Sequence, residues 1–207
     1  ISESIKRDFR AIVVPWYLMK DVVMRVKGTG ISAACGSGFP FGYETTETKA
    51  YMIKRSLELG SEVRDIDITA NISVMKSGDW KYFENEIAFL SGLLKEITCK
   101  VIIEVSYLTE EEIKKACSIL LNIPHVDFVK TGTGFGSRAT SVKDVDIMYE
   151  VLGGRKGIKV SGGVKSLSQV EDFVKAGADI FGASRAIEIY DEFNVRYPEH
   201  DDLPHLT

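Results

Sequence analysis

The sequence predicts an α/β fold: one domain, residues 1–207, of repeated βα units around a parallel sheet, read as a TIM (β/α)8 barrel whose first strand is absent from these 207 residues. Three observations carry that reading. Short apolar segments alternate with amphipathic ones along nearly the whole chain. Two of the apolar segments deliver a lysine to the edge of a glycine-rich turn. The first βα turn lacks the G-x-G-x-x-G pattern of a dinucleotide-binding open sheet, which favours a barrel over a doubly wound sheet.

In chain order, a helix-like stretch at 1–9 runs directly into a strand at 11–15, as though another strand preceded it. Further strands are expected at 31–36, 64–70, 100–105, 126–130, 158–161 and 179–183, with helices at 16–27, 46–59, 80–97, 109–120, 141–152 and 166–176. Thr109-x-x-Glu112 and Ser166-x-x-Gln169 have the form of capping boxes, and Gly60 and Gly177 stand where helices end. Seven strands cannot close a barrel of eight and would leave two open edges side by side. The expectation is therefore that the gene product begins upstream of Ile1 with one more alternating apolar strand. Residues 191–207 read as a C-terminal tail; His200, Asp201, Asp202 and His205 within it imitate a metal site but have no periodic frame to fix them, and no metal is expected there.

The 26 basic and 30 acidic residues give a formal charge of -4, which argues against a nucleic-acid or anionic-membrane surface and leaves room only for a local cationic pocket. Cys35, Cys99 and Cys117 are odd in number and lie in periodic segments, so free buried thiols in the cytoplasm are expected. No apolar run approaches the roughly 20 residues of a membrane span, and no signal peptide is visible.

The chemistry concentrates on Lys130, which ends an apolar strand where the turn Thr131-Gly132-Thr133-Gly134 begins, and on Lys159, which precedes Ser161-Gly162-Gly163 in the same way. A partly desolvated ammonium facing a second one sheds its proton more readily, and the resulting amine attacks carbonyl carbon. Schiff-base catalysis is the leading hypothesis. In a barrel both lysines would sit at the C-terminal, reactive face, and the Gly162-Gly163 and Ser184-Arg185 turns would precede helices whose amides can receive an anion. The plain alternatives are turn formation for the glycines and a surface salt bridge for Arg185.

Along 64–71 strict alternation puts Asp65, Asp67, Thr69 and Asn71 on one face, which in a barrel points inward. Buried acids need cations, and the two lysines are the available ones. Asp67 is thus a candidate proton relay or a structural ion pair holding Lys159. Glu104 either joins this network or plays a solvent-facing or structural part. His125 lies at a strand entrance, the wrong end for catalysis.

Together with Phe39-Pro40-x-Gly42, Asp67-x-x-x-Asn71, Lys76-Ser77-Gly78, Lys100-Val101-Ile102-Ile103-Glu104, Lys130-Thr131-x-Thr133-Gly134-Phe135 with Ala139-Thr140, Lys159-x-Ser161-Gly162-Gly163 and Gly182-Ala183-Ser184, the chain resembles the deoxyribose-phosphate aldolases, class I aldolases on a TIM barrel, over residues from about 10 to about 188. The resemblance implies that the Schiff-base lysine falls on Lys130, the second lysine that loosens its proton on Lys159 and the proton-relay aspartate on Asp67. It implies substrate and phosphate contacts at Thr133, Gly134, Gly162, Gly163, Ser184 and Arg185. The implied reaction is reversible cleavage of 2-deoxyribose 5-phosphate to acetaldehyde and glyceraldehyde 3-phosphate without metal or organic cofactor, by a homo-oligomer with no nucleic-acid or membrane partner. The chain departs from the family at Gly132, where serine is usual, at Arg185, where a second serine is common, and in lacking the first strand with its Asp-His-Thr. The resemblance assigns no role to Tyr190 or Tyr197, and neither is matched to the family's C-terminal tyrosine. A different sugar-phosphate substrate, an isomerase using Asp67 as base, and a non-catalytic sugar-phosphate binder are the competing readings.

Overall fold

A computed structural model describes residues 1–198. Seven strands form one parallel sheet in strict sequence order: β1 (Ala11–Val13), β2 (Ser32–Ser37), β3 (Asp65–Thr69), β4 (Thr98–Ile102), β5 (Phe128–Lys130), β6 (Gly157–Ser161) and β7 (Ile180–Gly182). Every strand pairs with its successor, which is what consecutive right-handed βα units produce when each helix packs back on the same side. Around the sheet run α1 (Ser2–Lys6), α2 (Met19–Val26), α3 (Thr46–Leu57), α4 (Ile72–Lys76), α5 (Trp80–Ser91), α6 (Glu110–Leu121), α7 (Val142–Leu152), α8 (Leu167–Lys175) and α9 (Ala186–Arg196). The sheet curls far enough that its two edges share neighbours. Phe9, just before β1, packs edge-on against Tyr190 of α9 at 5.6 Å between ring centres, and Arg7 grips Asp191 through two hydrogen bonds of 2.8 Å. Among the described residues, none of the helices is long and apolar enough to cross a membrane.

Sequence periodicity explains most of the packing. Met19, Val22, Val23 and Val26 recur at the spacing of one helical face and all are buried, and each such side chain contributes about 1.5–3 kcal/mol when taken from water. On β3 the isoleucines Ile66 and Ile68 turn outward into the helix layer while the acids turn inward. Thr109 and Glu112 form the expected capping box on α6. At α8 only half of one forms: Ser166 accepts from the Gln169 amide, but the Gln169 side chain accepts from Lys165 instead. A complete box that the sequence reading did not mark, Ser141 with Asp144, starts α7. Gly177 takes φ +101° after α8, and a Cβ there would lie 2.3 Å from the Tyr149 ring, so the position requires glycine.

Several boundaries differ from expectation. β4 stops at Ile102, so Glu104 lies beyond the strand, with backbone φ 53° and ψ 68°. α5 ends at Ser91 rather than near 97, where Gly92 supplies the stop. α4 was unforeseen; Asn71 caps it by accepting from the Val74 amide. Of the span 191–207 expected as a tail, residues 191–196 belong to α9, whose Ile189, Tyr190 and Phe193 line a cavity wall, and residues 199–207 lie outside the described residues. His200, Asp201, Asp202 and His205 lie outside the described residues. The three cysteines are free and buried, and burial pushes the Cys99 and Cys117 thiols up to about 12.

Candidate active site

The inward faces of β3, β4, β5 and β6 carry the charge. The register sets Asp67 opposite Lys100 and Lys130 opposite Lys159. From these positions Lys130 Nζ donates to Asp67 Oδ2 at 2.6 Å and Lys159 Nζ donates to the same oxygen at 3.0 Å. Lys100 Nζ bonds Asp65 Oδ1 and stands 3.8 Å from Asp67 Oδ1, while Arg10 reaches Asp65 from the sheet edge at 3.3 Å. All five inner groups are buried, and Asp67 is only 1% exposed. Three ammoniums thus face two carboxylates, leaving an excess positive charge in a poorly solvated space.

That imbalance shows in the proton affinities. Burial, then the ammoniums of Lys130 and Lys100, pull Lys159 down to about 8 against the opposing attraction of Asp67. Burial works to raise the Asp67 carboxyl, but Lys130, Lys159 and Lys100 together outweigh it and hold the group well below the usual carboxylate range. Asp65 is also held low, with Lys100 the main influence overcoming burial.

A cavity of about 810 Å³ opens on this cluster. Lys100, Lys130 and Lys159 reach its wall, as do Thr133, Gly134, Gly162, Gly163 and Ser184 at the C-terminal end of the strands. Hydroxyls lock the turns in place: Thr140 Oγ1 donates to the Ser161 carbonyl at 2.7 Å, and Ser161 Oγ donates to the Gly132 carbonyl at 2.5 Å. Gly162 and Gly163 have φ of +87° and +92°, and a Cβ on Gly163 would sit 2.5 Å from that of Ala139, so only glycine lets these loops touch.

Over 193 residues the chain is 39% identical to a protein named deoxyribose-phosphate aldolase from Thermococcus kodakarensis, covering 91% of this chain and 84% of that one. The chain belongs to the deoxyribose-phosphate aldolase family. It is an aldolase of that type and hence a lyase. A deoxyribose-phosphate aldolase of Lactococcus lactis subsp. cremoris is 36% identical over 189 residues, with the same coverage of 91% and 84%. Among solved structures, "QR15, an Aldolase" superposes with a TM-score of 0.89 at 32% identity, covering 95% of this chain and 87% of that one. The tetrameric deoxyribose phosphate aldolase of Aeropyrum pernix shares the fold, with a TM-score of 0.83 at 23% identity over 93% of this chain and 81% of that one. No family model matches the chain.

Within this aldolase, the structure brings Lys130, Lys159 and Asp67 into direct contact and sets the expected glycines and Ser184 around the same cavity. Arg185 is not on the cavity wall; its side chain is half exposed and stands 3.7 Å from Glu188. Thr133 lines the cavity, but its amide and hydroxyl both donate to Glu104 Oε2, at 2.8 and 2.5 Å. Glu104 does not join the lysine network. Nor do Gly162 and Gly163 open α8 directly, since Ser166 is its cap.

Two cations at the site escaped the sequence reading. Lys100, on the strand motif 100–104, faces Asp67 across the β3–β4 register, so three lysines rather than the two expected surround the acids. Lys165, exposed and two residues past Gly163, lies on the cavity rim in a loop with no periodic signal. Away from the site, Lys49 is fully buried, donating to Glu86 and to the Thr69 carbonyl at 3.0 Å each.

Proposed function

We propose that this protein is a Schiff-base aldolase that reversibly cleaves 2-deoxy-D-ribose 5-phosphate to acetaldehyde and D-glyceraldehyde 3-phosphate. The observation that carries the proposal is the single oxygen of Asp67 held by both Lys130 and Lys159 at a cavity wall. Above about pH 8 the Lys159 amine can take the proton that Lys130 must shed before it adds to a carbonyl, and Asp67 Oδ2 holds the two nitrogens together.

Lys130 then adds to the aldehyde carbon of the open-chain sugar, and water leaves to give the iminium. Loss of the C3 hydroxyl proton breaks the C2–C3 bond, whose electron pair moves into the iminium as an enamine while glyceraldehyde 3-phosphate departs. Protonation of the enamine carbon and addition of water release acetaldehyde and restore the amine. Lys159, with its proton affinity near neutrality, is the group suited to move these protons, and Asp67 holds it against Lys130. Using Asp67 as the base, as an isomerase would, fits less well, because a carboxylate so strongly held in its charged form is a weak proton acceptor.

The phosphate is assigned to the glycine turns at Gly134, Gly162 and Gly163, to Ser184 and to the Lys165 ammonium, with Thr133 acting through the loop it anchors. Arg185 stands beside this end rather than on its wall. A homo-oligomer is the proposed assembly, as in the tetrameric Aeropyrum pernix neighbour. Free buried thiols support placing it in the cytoplasm. Proton NMR of the purified chain with 2-deoxyribose 5-phosphate tests the reaction: acetaldehyde and glyceraldehyde 3-phosphate should appear in equal amounts, and turnover yielding a ketose isomer instead would overturn the assignment.

A further inference from the structure

Glu104 is buried, carries a side chain, and yet sits in the left-handed backbone region at φ 53°, where a Cβ meets steric resistance. Its neighbours on either side bind the lysine-bearing stretch: Ile103 donates to the Lys130 carbonyl at 3.1 Å and Val105 to the Thr131 carbonyl at 2.8 Å. The unusual backbone turns the carboxylate toward the loop after β5. There Oε2 accepts from both the amide and the hydroxyl of Thr133, while Oε1 accepts from Ser106 Oγ at 2.7 Å. Ser106 Oγ in turn accepts from the Ser137 amide at 3.1 Å, so both ends of the 133–137 loop hang on one carboxylate.

The loop is shaped to receive it. A Cβ on Gly136 would lie 2.4 Å from Glu104 Oε1 and 2.0 Å from Ser106 Oγ, and one on Gly132 would lie 3.1 Å from Oε1. Between the two anchors, Gly134 faces Gly162, whose Cβ would be 3.5 Å from the Gly134 nitrogen. Three protein donors satisfy the carboxylate oxygens, and the Arg138 guanidinium interacts with the carboxylate electrostatically, offsetting its negative charge. No bond joins Glu104 to Asp67 or to the lysines of the site.

We propose that Glu104 is a positioning residue for the anionic end of the substrate: through Thr133 directly and Ser137 by way of Ser106, it fixes the Gly134 turn opposite Gly162. The proposal rests on the reading above only in assigning phosphate to that end of the cavity. Its test uses the full chain and two readouts, inorganic phosphate affinity by calorimetry and borohydride trapping of acetaldehyde, which has no phosphate. In Glu104→Gln an NH2 replaces one acceptor oxygen. The expected result is a loss of phosphate affinity that exceeds any loss in trapping rate by about tenfold, the scale of one charged hydrogen bond. Ser106→Ala should show the same split to a smaller degree. Equal losses in both readouts, an unchanged phosphate affinity in Glu104→Gln, or an unmodified protein that binds no phosphate would each overturn the proposal. If Glu104→Gln does not fold, Ser106→Ala decides by the same criterion. An unmodified protein that binds phosphate but is never trapped would defeat the Schiff-base reading while leaving the calorimetry to judge Glu104.

Discussion

Lys130 and Lys159 stand opposite each other in the β5–β6 register and both donate to Asp67 Oδ2, at 2.6 and 3.0 Å. One carboxylate oxygen serving two ammoniums couples them electrostatically. A change at either is felt by the other.

The pH profile of the reaction should therefore depend on Lys159. With its proton affinity lowered to about 8, Lys159 is charged below that pH and a neutral amine above it, so kcat/KM should rise through about pH 8. Lys159→Leu removes both the neighbouring charge and the proton carrier. Activity near pH 7 should fall by about 10²-fold or more, the usual scale of proton-transfer catalysis, and recover in part toward pH 10. A variant with the same profile as the unmodified enzyme would remove Lys159 from this role.

Acid should destabilise the fold through the same cluster. The Asp65 and Asp67 carboxyls are held below their ordinary value of about 3.9. Their contribution is fully present above that unfolded-state value and is lost as pH falls through the lower folded-state values. Urea midpoints should consequently drop between pH 5.5 and pH 3. Asp67→Asn, which strands buried ammoniums, should lose about 3–5 kcal/mol at pH 7 and show a shallower acid dependence. A stable Asp67→Asn protein would mean that the lysines around it are not charged together.

Recognition of phosphate should separate Lys165 from Arg185. The Arg185–Glu188 pair is exposed and spans 3.7 Å, a type worth about 0–1 kcal/mol, so Arg185→Ser should leave KM for phosphorylated substrate within about threefold. Lys165→Met should raise that KM about tenfold and spare the unphosphorylated sugar, as expected when a charged hydrogen bond is removed. The reverse ranking would place the Arg185 guanidinium, rather than Lys165, on the phosphate.

The buried Lys49–Glu86 pair offers a control remote from the chemistry. Lys49→Ala leaves Glu86 buried without its cation and should cost about 3–5 kcal/mol, whereas Lys49→Met with Glu86→Leu should be close to neutral. Chemical denaturation measures both. A mild Lys49→Ala effect would show that water reaches Glu86.

These residues also mark what local sequence can reveal. Alternation on β3 was enough to turn Asp67 inward, because a strand has a period of two, and a strand running into a glycine turn was enough to place Lys130 and Lys159 at one end of the sheet. The third lysine, Lys100, was not legible as a partner: its meeting with Asp65 and Asp67 depends on strand pairing across 35 and 33 positions, which no short pattern encodes. Lys49 looks like an ordinary surface lysine on an amphipathic helix, and only the packing of α3 on α5 reveals its acid. Glu104 breaks the rule that positive φ belongs to glycine, so nothing in the sequence signals the turn that aims its carboxylate at Thr133. No helix was assigned after 166–176, because the proline and acids that begin within two residues of the end of α9 obscure the apolar face of Ile189, Tyr190 and Phe193.

The central claim, that Lys130 is the amine that bonds to substrate, is tested most directly by incubating the protein with acetaldehyde and borohydride and mapping the reduced adduct. Intact mass should show one ethyl group, peptide mapping should place it on Lys130, and a folded Lys130→Leu protein should remain unlabelled and inactive. Labelling at Lys100 or Lys159 in the unmodified protein, or turnover and labelling that survive Lys130→Leu, would contradict the account.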